Sequence, residues 1–319
     1  MTKEAEYVLI IGSSNMDLNI YSQRFPNPGE TVTGGIFKQF LGGKGANQAV
    51  ASVRSGAKTI FIGKIGIDLF GDQMISRLKD EGINMDFVVR DSQNPSGVAF
   101  ILIDENGENM ISVAPGANST LNSEDINNRK EIIKNAKTIV VQMEIPIDTI
   151  QQIFTIASKG KAIKILNPAP LKPIPIDVFK NVDIIIPNEG ELYRLHSLLD
   201  FEKITKEGKQ KIIQAARDIS SLGIRYIITT LGKKGCLIFQ GKENEFFEIS
   251  SPKVKAVDTV GAGDCFIGVL ASMLTKGETI LNAVKLATIA ASIAVTRKGA
   301  QESMPVLNEI KGKFNKLKI

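Results

Sequence analysis

Two cysteines, one histidine and no tryptophan in 319 residues close off several chemistries at once. Cys236 and Cys265 both sit in apolar surroundings, so no disulfide framework is expected and the chain reads as a protein of the reducing, cytoplasmic compartment. His196 has no partner pattern and reads as a surface or helix-end residue, which argues against a catalytic triad or a histidine-rich metal site. No apolar run approaches the roughly 18 residues needed to cross a bilayer. The short polar lead before "YVLIIGSS" lacks the basic start and small-residue cleavage site of a signal peptide, and no membrane partner is expected. The excess of basic residues is small, 39 against 34 acidic. The lysines are spread along the chain, and the one dense basic run, "KGKFNKLKI", suits a solvated terminal helix better than a nucleic-acid surface. Two nucleotide motifs are missing as well. "GSSNMDL" follows the first apolar run where a dinucleotide enzyme would carry G-x-G-x-x-G. In "LGGKGANQAV", Leu41 to Val50, a Walker motif fails at both ends: Gly45 stands where Ser or Thr is needed, and Lys38 where the first glycine should be.

What the chain does contain is alternation. Hydrophobic residues make up 43% of it, enough for a sizeable core. Short apolar runs predict strands at Val8–Ile11, Thr59–Ile62, Thr138–Val141, Ile163–Leu166, Ile184–Ile186, Ile227–Thr230 and Leu237–Phe239. Most are continuous rather than alternating, as in parallel strands covered on both faces. Helical stripes fall between them. Ala46, Ala49, Val50 and Val53 precede Gly56; Met74, Ile75 and Leu78 precede Gly82; Ile212, Ile213, Ala216 and Ile219 precede Gly223. The expected fold is a three-layer α/β/α architecture with a mostly parallel sheet and its ligand at the carboxyl ends of the strands. Two segments break the rhythm. Asp17 to Phe40 is turn-rich and then strand-like ("ETVTGGIFKQF"), and Ser96 to Ala114 is a hairpin pattern around Glu105-Asn106-Gly107. Together they predict a small sheet beside the main body. No linker, repeat or low-complexity stretch divides the chain, so one domain over 1–319 is expected.

The chemistry should lie in "VDTVGAGDCFIGVLASML", Val257 to Leu274. Gly261, Ala262 and Gly263 place free backbone N–H groups at a helix N-terminus, where the dipole favours an anion. Asp264 stands in the first turn. It could be an ordinary first-turn acid, but Asp258 six residues earlier makes a pair of acids bracketing the glycine run. A general base beside an anion hole is what phosphoryl transfer to an alcohol requires. "PNEGE" brings Asn188 and Glu191 to the end of a strand, where they could orient magnesium and its waters around phosphates or simply cap a helix. "TLGKKG", Thr230 to Gly235, follows another strand and has a plain turn as its alternative.

These stretches are similar to the ribokinase-type sugar kinases, the PfkB family, over essentially the whole chain. "GGKGANQAV" resembles the N-terminal signature and "DTVGAGDCFIG" the C-terminal one. "GSSNMD", "GKIGIDLFG", "QMEIP", "NPAP", "NEGE" and "AVTRKGAQ" follow the ribokinase branch in the same order. The resemblance implies ATP-dependent phosphorylation of D-ribose at O5. It makes Asp264 the catalytic base and assigns sugar contacts to Asn15, Asp17, Gly42, Gly43, Lys44, Asn47 and Glu144, and to Asp264 itself. The glycine-lysine turn would thus hold sugar, not nucleotide. Nucleotide contacts are implied at Asn188, Thr230, Leu231, Gly232, Lys233, Lys234, Gly235, Gly261, Ala262, Gly263 and Thr288. The last replaces a residue that is His in some members, and Val260 replaces a frequent Thr. The resemblance further implies magnesium near Glu191, through water, and an activating potassium ion held by Asp258, Val260, Ala294, Arg297, Gly299 and Ser303. The segments about 15–45 and 95–120 would form a lid that pairs two subunits. The rivals are a sister kinase acting on deoxyribose, another small sugar or a nucleoside, and a non-catalytic sugar sensor. The sensor should have lost the base or the anion hole, and both are intact. A nucleic-acid binder is the remaining rival, and salt-dependent DNA binding is the observation it would need.

Overall fold

The computed structural model describes residues 6–317. The polar lead at 1–5 and the last two residues of the basic tail lie outside them. In chain order the elements are β1 (Val8–Ile11), β2 (Asn15–Tyr21), β3 (Ile36–Gly42), α1 (Lys44–Arg54), β4 (Thr59–Ile62), β5 (Lys64–Gly66) and α2 (Leu69–Asp80). There follow β6 (Val89–Asp91), β7 (Gly97–Ile103), β8 (Asn109–Ala114), α3 (Ser123–Asn127), α4 (Lys130–Lys134), β9 (Thr138–Gln142), α5 (Ile147–Ala157), β10 (Ile163–Asn167) and β11 (Ile184–Ile185). The chain ends with α6 (Glu189–Leu198), α7 (Gly208–Ser220), β12 (Tyr226–Thr230), β13 (Cys236–Gln240), β14 (Glu245–Ile249), α8 (Ala262–Thr275), α9 (Ile280–Ala294) and α10 (Leu307–Leu317).

Eight strands form the main sheet in the order β14-β13-β12-β11-β10-β9-β1-β4. The pairs from β4 to β12 are parallel. Their continuous apolar runs have a direct cause. Successive side chains point to opposite faces, and both faces are covered. In β1, Val8 and Ile10 join a core with Ala49 of α1, Val269 of α8 and Ala287 of α9. Leu9 and Ile11 join the opposite core with Ile153 of α5, Leu195 of α6, and Ile212, Ala216 and Ile219 of α7. Helices α1 and α8 pack closely because Gly268 has no side chain. A Cβ there would meet the Gln48 carbonyl oxygen at 2.3 Å.

The structure departs from the sequence reading at the edge of the main sheet, in the small sheet and at His196. The strand predicted at Leu237–Phe239 is β13, which runs antiparallel to β12, and the unpredicted β14 pairs antiparallel beyond it. A strand, β2, occupies the start of the segment read as turn-rich, while "ETVTGG" contributes none and β3 begins only at Ile36. His196 does lie in the last turn of α6, but it is buried and has a partner, Asp218 Oδ2, at 2.9 Å. The hairpin pattern at Ser96–Ala114 is β7 and β8, with Gly107 at φ 82° in its turn. Strands β3-β2-β7-β8 form the small sheet. Gly56, Gly82 and Gly223 follow the ends of α1, α2 and α7 with φ of 87°, 87° and 99°. No helix among the described residues is long and apolar enough to cross a membrane.

Candidate active site

The carboxyl ends of β10, β11 and β12 and the N-termini of α1 and α8 meet at one crevice. A cavity of about 150 Å³ there is lined by Lys44, Asn167, Asn188, Glu191, Thr230 and Gly261–Asp264, among others. Asp264 lies in the first turn of α8, whose N-cap is Gly261. Its buried carboxylate accepts Asn47 Nδ2 at 3.0 Å and Gln48 Nε2 at 2.9 Å. The first N–H groups of a helix have no partner within it. Here Ala262 N–H turns back to Thr259 O at 3.3 Å, so Gly263 and Asp264 supply the N–H groups available to an anion.

The small sheet brings a second set of polar groups to the same region. The alternation N-M-D-L-N-I-Y in β2 puts Asn15, Asp17 and Asn19 on one face and Met16, Leu18 and Ile20 on the other. Asn15 Oδ1 accepts Asn118 Nδ2 at 2.8 Å. Burial, then the nearby charges of Glu144, Glu302 and Asp264, push the Asp17 carboxyl up to about 7. Gly43 turns the chain from β3 into α1 with φ 85°, and a Cβ there would lie 2.7 Å from Ser14 Cα. Glu144 accepts the Lys44 backbone N–H at 3.0 Å and the Ser13 hydroxyl. The Asp264 carboxylate foremost, with Glu144 and Glu191, holds the Lys44 ammonium above its ordinary value against desolvation.

The other nominated residues divide. Asn188 and Glu191 form a reciprocal capping box at 2.8 Å each way, so the capping alternative is real, and both still line the cavity. Thr230 ends β12, and Leu231 to Gly235 close the turn into β13 around Gly232, Lys233 and Lys234. Thr288 stands apart: it is buried on α9, and its hydroxyl donates to Val284 O at 2.9 Å. Asp258 accepts Val260 N–H and Gly299 N–H, each at 3.0 Å, which ties the glycine loop to the turn after α9. Ala294 O accepts Arg297 N–H at 2.9 Å, Ser303 Oγ donates to Ala300 O, and the Arg297 guanidinium pairs with Glu309. Gln48, Gln142 and Asn167 were missed by sequence reasoning, although each lies inside a stretch that was singled out: "GGKGANQAV", "QMEIP" and "NPAP".

The pfkB family carbohydrate kinase model matches residues 5–307. The chain belongs to that family. It is 39% identical over 305 residues to the ribokinase of Staphylococcus aureus (strain COL), covering 95% of this chain and 98% of the relative. It is 35% identical over 303 residues to the deoxyribokinase of Salmonella typhi, covering 95% and 96%. The structure of Arabidopsis thaliana ribokinase complexed with ribose and ATP aligns with a TM-score of 0.90 at 31% identity, covering 97% of this chain and 98% of that one. The main sheet and the small sheet are thus those of a PfkB kinase fold.

Proposed function

We propose that this PfkB-family protein transfers the γ-phosphoryl group of ATP to O5 of D-ribose. The observation that carries the reading is Asp264: a buried carboxylate in the first turn of a helix that lines the crevice, close enough to Asp17 and Lys44 for its charge to act on both. Asp264 accepts the proton of the 5-hydroxyl, and that oxygen attacks the γ-phosphorus in line as ADP leaves. The Gly263 and Asp264 N–H groups and the Lys44 ammonium stabilise the charge on the transferring group. Asn15, Asp17, Gly42, Gly43, Asn47 and Glu144 hold the sugar, and Asn188, Thr230 to Gly235, Gly261 and Ala262 approach the nucleotide.

Among the described residues no cluster of three acidic, histidine or cysteine side chains could hold a metal alone. Magnesium needs no such cluster, since it binds through phosphates, water and one or two carboxylates; Glu191 lines the cavity together with Asp264 and is the carboxylate left for the ion when Asp264 serves as base. Magnesium would neutralise charge on the phosphates. Asp258 and the turn 294–303, which the Asp258 carboxylate ties to the glycine loop, would hold a monovalent cation such as potassium through oxygen atoms, the ligands that hard cations take. The small sheet acts as a lid over the sugar and as the contact between two subunits, and the two free, buried cysteines suit the cytoplasm. The second reading, deoxyribose as substrate, is favoured by the Salmonella typhi relative. A panel of ribose, deoxyribose, fructose and adenosine tests both. Highest kcat/KM with ribose is expected, and a higher value with deoxyribose would replace the first reading by the second.

A further inference from the structure

Behind Asp264 runs a chain of buried side-chain amides. Asn167 Nδ2 donates to the Ile186 carbonyl at 3.0 Å. A carbonyl oxygen only accepts, so this contact fixes which end of the Asn167 amide is nitrogen. Asn167 Oδ1 therefore faces Gln48, and it accepts Gln48 Nε2 at 3.2 Å. The same nitrogen has a second hydrogen, which goes to Asp264 Oδ1 at 2.9 Å. Gln142 Nε2 closes the arrangement by donating to Gln48 Oε1 at 2.7 Å. Gln48 and Gln142 are fully buried. A backbone carbonyl just past the end of β11 thus sets, through one amide, the direction in which Gln48 donates.

We propose that Gln48 is a positioning residue for Asp264: its anchored amide fixes the carboxylate's rotation so that the remaining lone pairs face the sugar hydroxyl. This rests on Asp264 being the base. The arrangement costs buried polar groups that an apolar core would avoid, and Gln142 Oε1 is buried without a partner among the described residues. A helix–helix contact needs none of this, since Leu or Met would fill the same space.

The test is a double-mutant cycle with Gln48→Met, which keeps the length and removes the donor. Turnover should fall roughly tenfold or more, the rate equivalent of a hydrogen bond to a charged group, with the sugar KM little changed; the melting temperature falls as well, because Gln142 and Asn167 lose a buried partner, so turnover is the deciding readout. In the Asp264→Asn background Gln48→Met should cost nothing further, because a positioning residue acts through the carboxylate. Unchanged turnover, or an equal loss in both backgrounds, overturns the proposal. Near-normal turnover of Asp264→Asn by itself overturns the base assignment, and this inference with it. Should Gln48→Met fail to fold, Asn167→Leu carries the cycle, since it removes the anchor that sets the direction of Gln48 while leaving Gln48 in place; the same two outcomes decide.

Discussion

Gly42 lies so close to Asp17 that a Cβ at position 42 would stand 2.2 Å from Asp17 Oδ2 and 2.4 Å from its Cγ. Gly42 pairs across the small sheet with Asn15, whose side chain shares a face of β2 with that of Asp17. Glycine here makes room for a carboxylate rather than for an unusual backbone angle. Gly42→Ala should displace Asp17 and raise the sugar KM about tenfold or more, since small misplacements of positioning groups are costly. The nucleotide KM should stay put. Steady-state kinetics with each substrate varied checks this; an unaltered sugar KM would separate Asp17 from the sugar.

Asp17 also sets a pH dependence. Its carboxyl is pushed up to about 7 in the folded chain from 3.8, by burial first and by Glu144, Glu302 and Asp264 next. Between those values the folded state holds a proton that the unfolded state has lost. Stability from this group is therefore full below the lower value and declines as pH rises through the window. Asp17→Asn removes the titration. It should raise the melting temperature at pH 8 and leave it nearly unchanged at pH 4, while weakening sugar binding roughly 10- to 100-fold. Scanning calorimetry at the two pH values, with calorimetric titration of ribose, measures both. An equal gain at both pH values would show that the carboxyl is not held neutral.

The alternation of strands and helices was legible because the parallel strands are apolar on both faces and helices such as α2 and α7 on one, whereas α8 is buried all round. The two glycine motifs were legible because few backbones need Gly-Gly-Lys-Gly or Gly-Ala-Gly-Asp. The start of β2 was not, because Asn15, Asp17 and Asn19 are residues that strands disfavour, and their place on a sheet follows from pairing with β3 and β7. The amide chain was not legible either. Gln48, Gln142, Asn167 and Asp264 are far apart in sequence, and amides have no spacing rule that announces a contact.

The small sheet carries an apolar row across its four strands. Phe37, Ile20, Leu102 and Met110 are paired in register. Phe37 and Met110 are 56% and 55% exposed, too much apolar area for a face that meets only water. The expected partner is a second copy of the sheet. Light scattering at micromolar concentration should give a dimer, and Phe37→Glu should give a monomer that keeps its fold. A monomeric parent protein would leave this row without that role.

Potassium should activate the enzyme. The Asp258 carboxylate spends one oxygen on the Val260 N–H and the other on the Gly299 N–H. The Val257 and Asp258 N–H groups both go to Val295 O, so the loop is held against the turn after α9 from two sides. The turn held in this way contains Ala294, Arg297 and Ser303, whose backbone carbonyls are the oxygens a cation there would use. The Arg297 side chain is committed to Glu309, so position 297 can offer an ion only its carbonyl. A cation held there touches no substrate. It would fix the shape of the loop that leads into Gly261 and Gly263, and through them the N–H groups that face the phosphoryl. At constant ionic strength, replacing tetramethylammonium with potassium should raise turnover several-fold and raise the melting temperature, with lithium a poor substitute. Asp258→Ala should lose both responses, because the carboxylate would no longer tie the loop to Gly299. Equal turnover and equal melting temperature of the parent protein in the two salts would leave Asp258 as a loop clamp and nothing more.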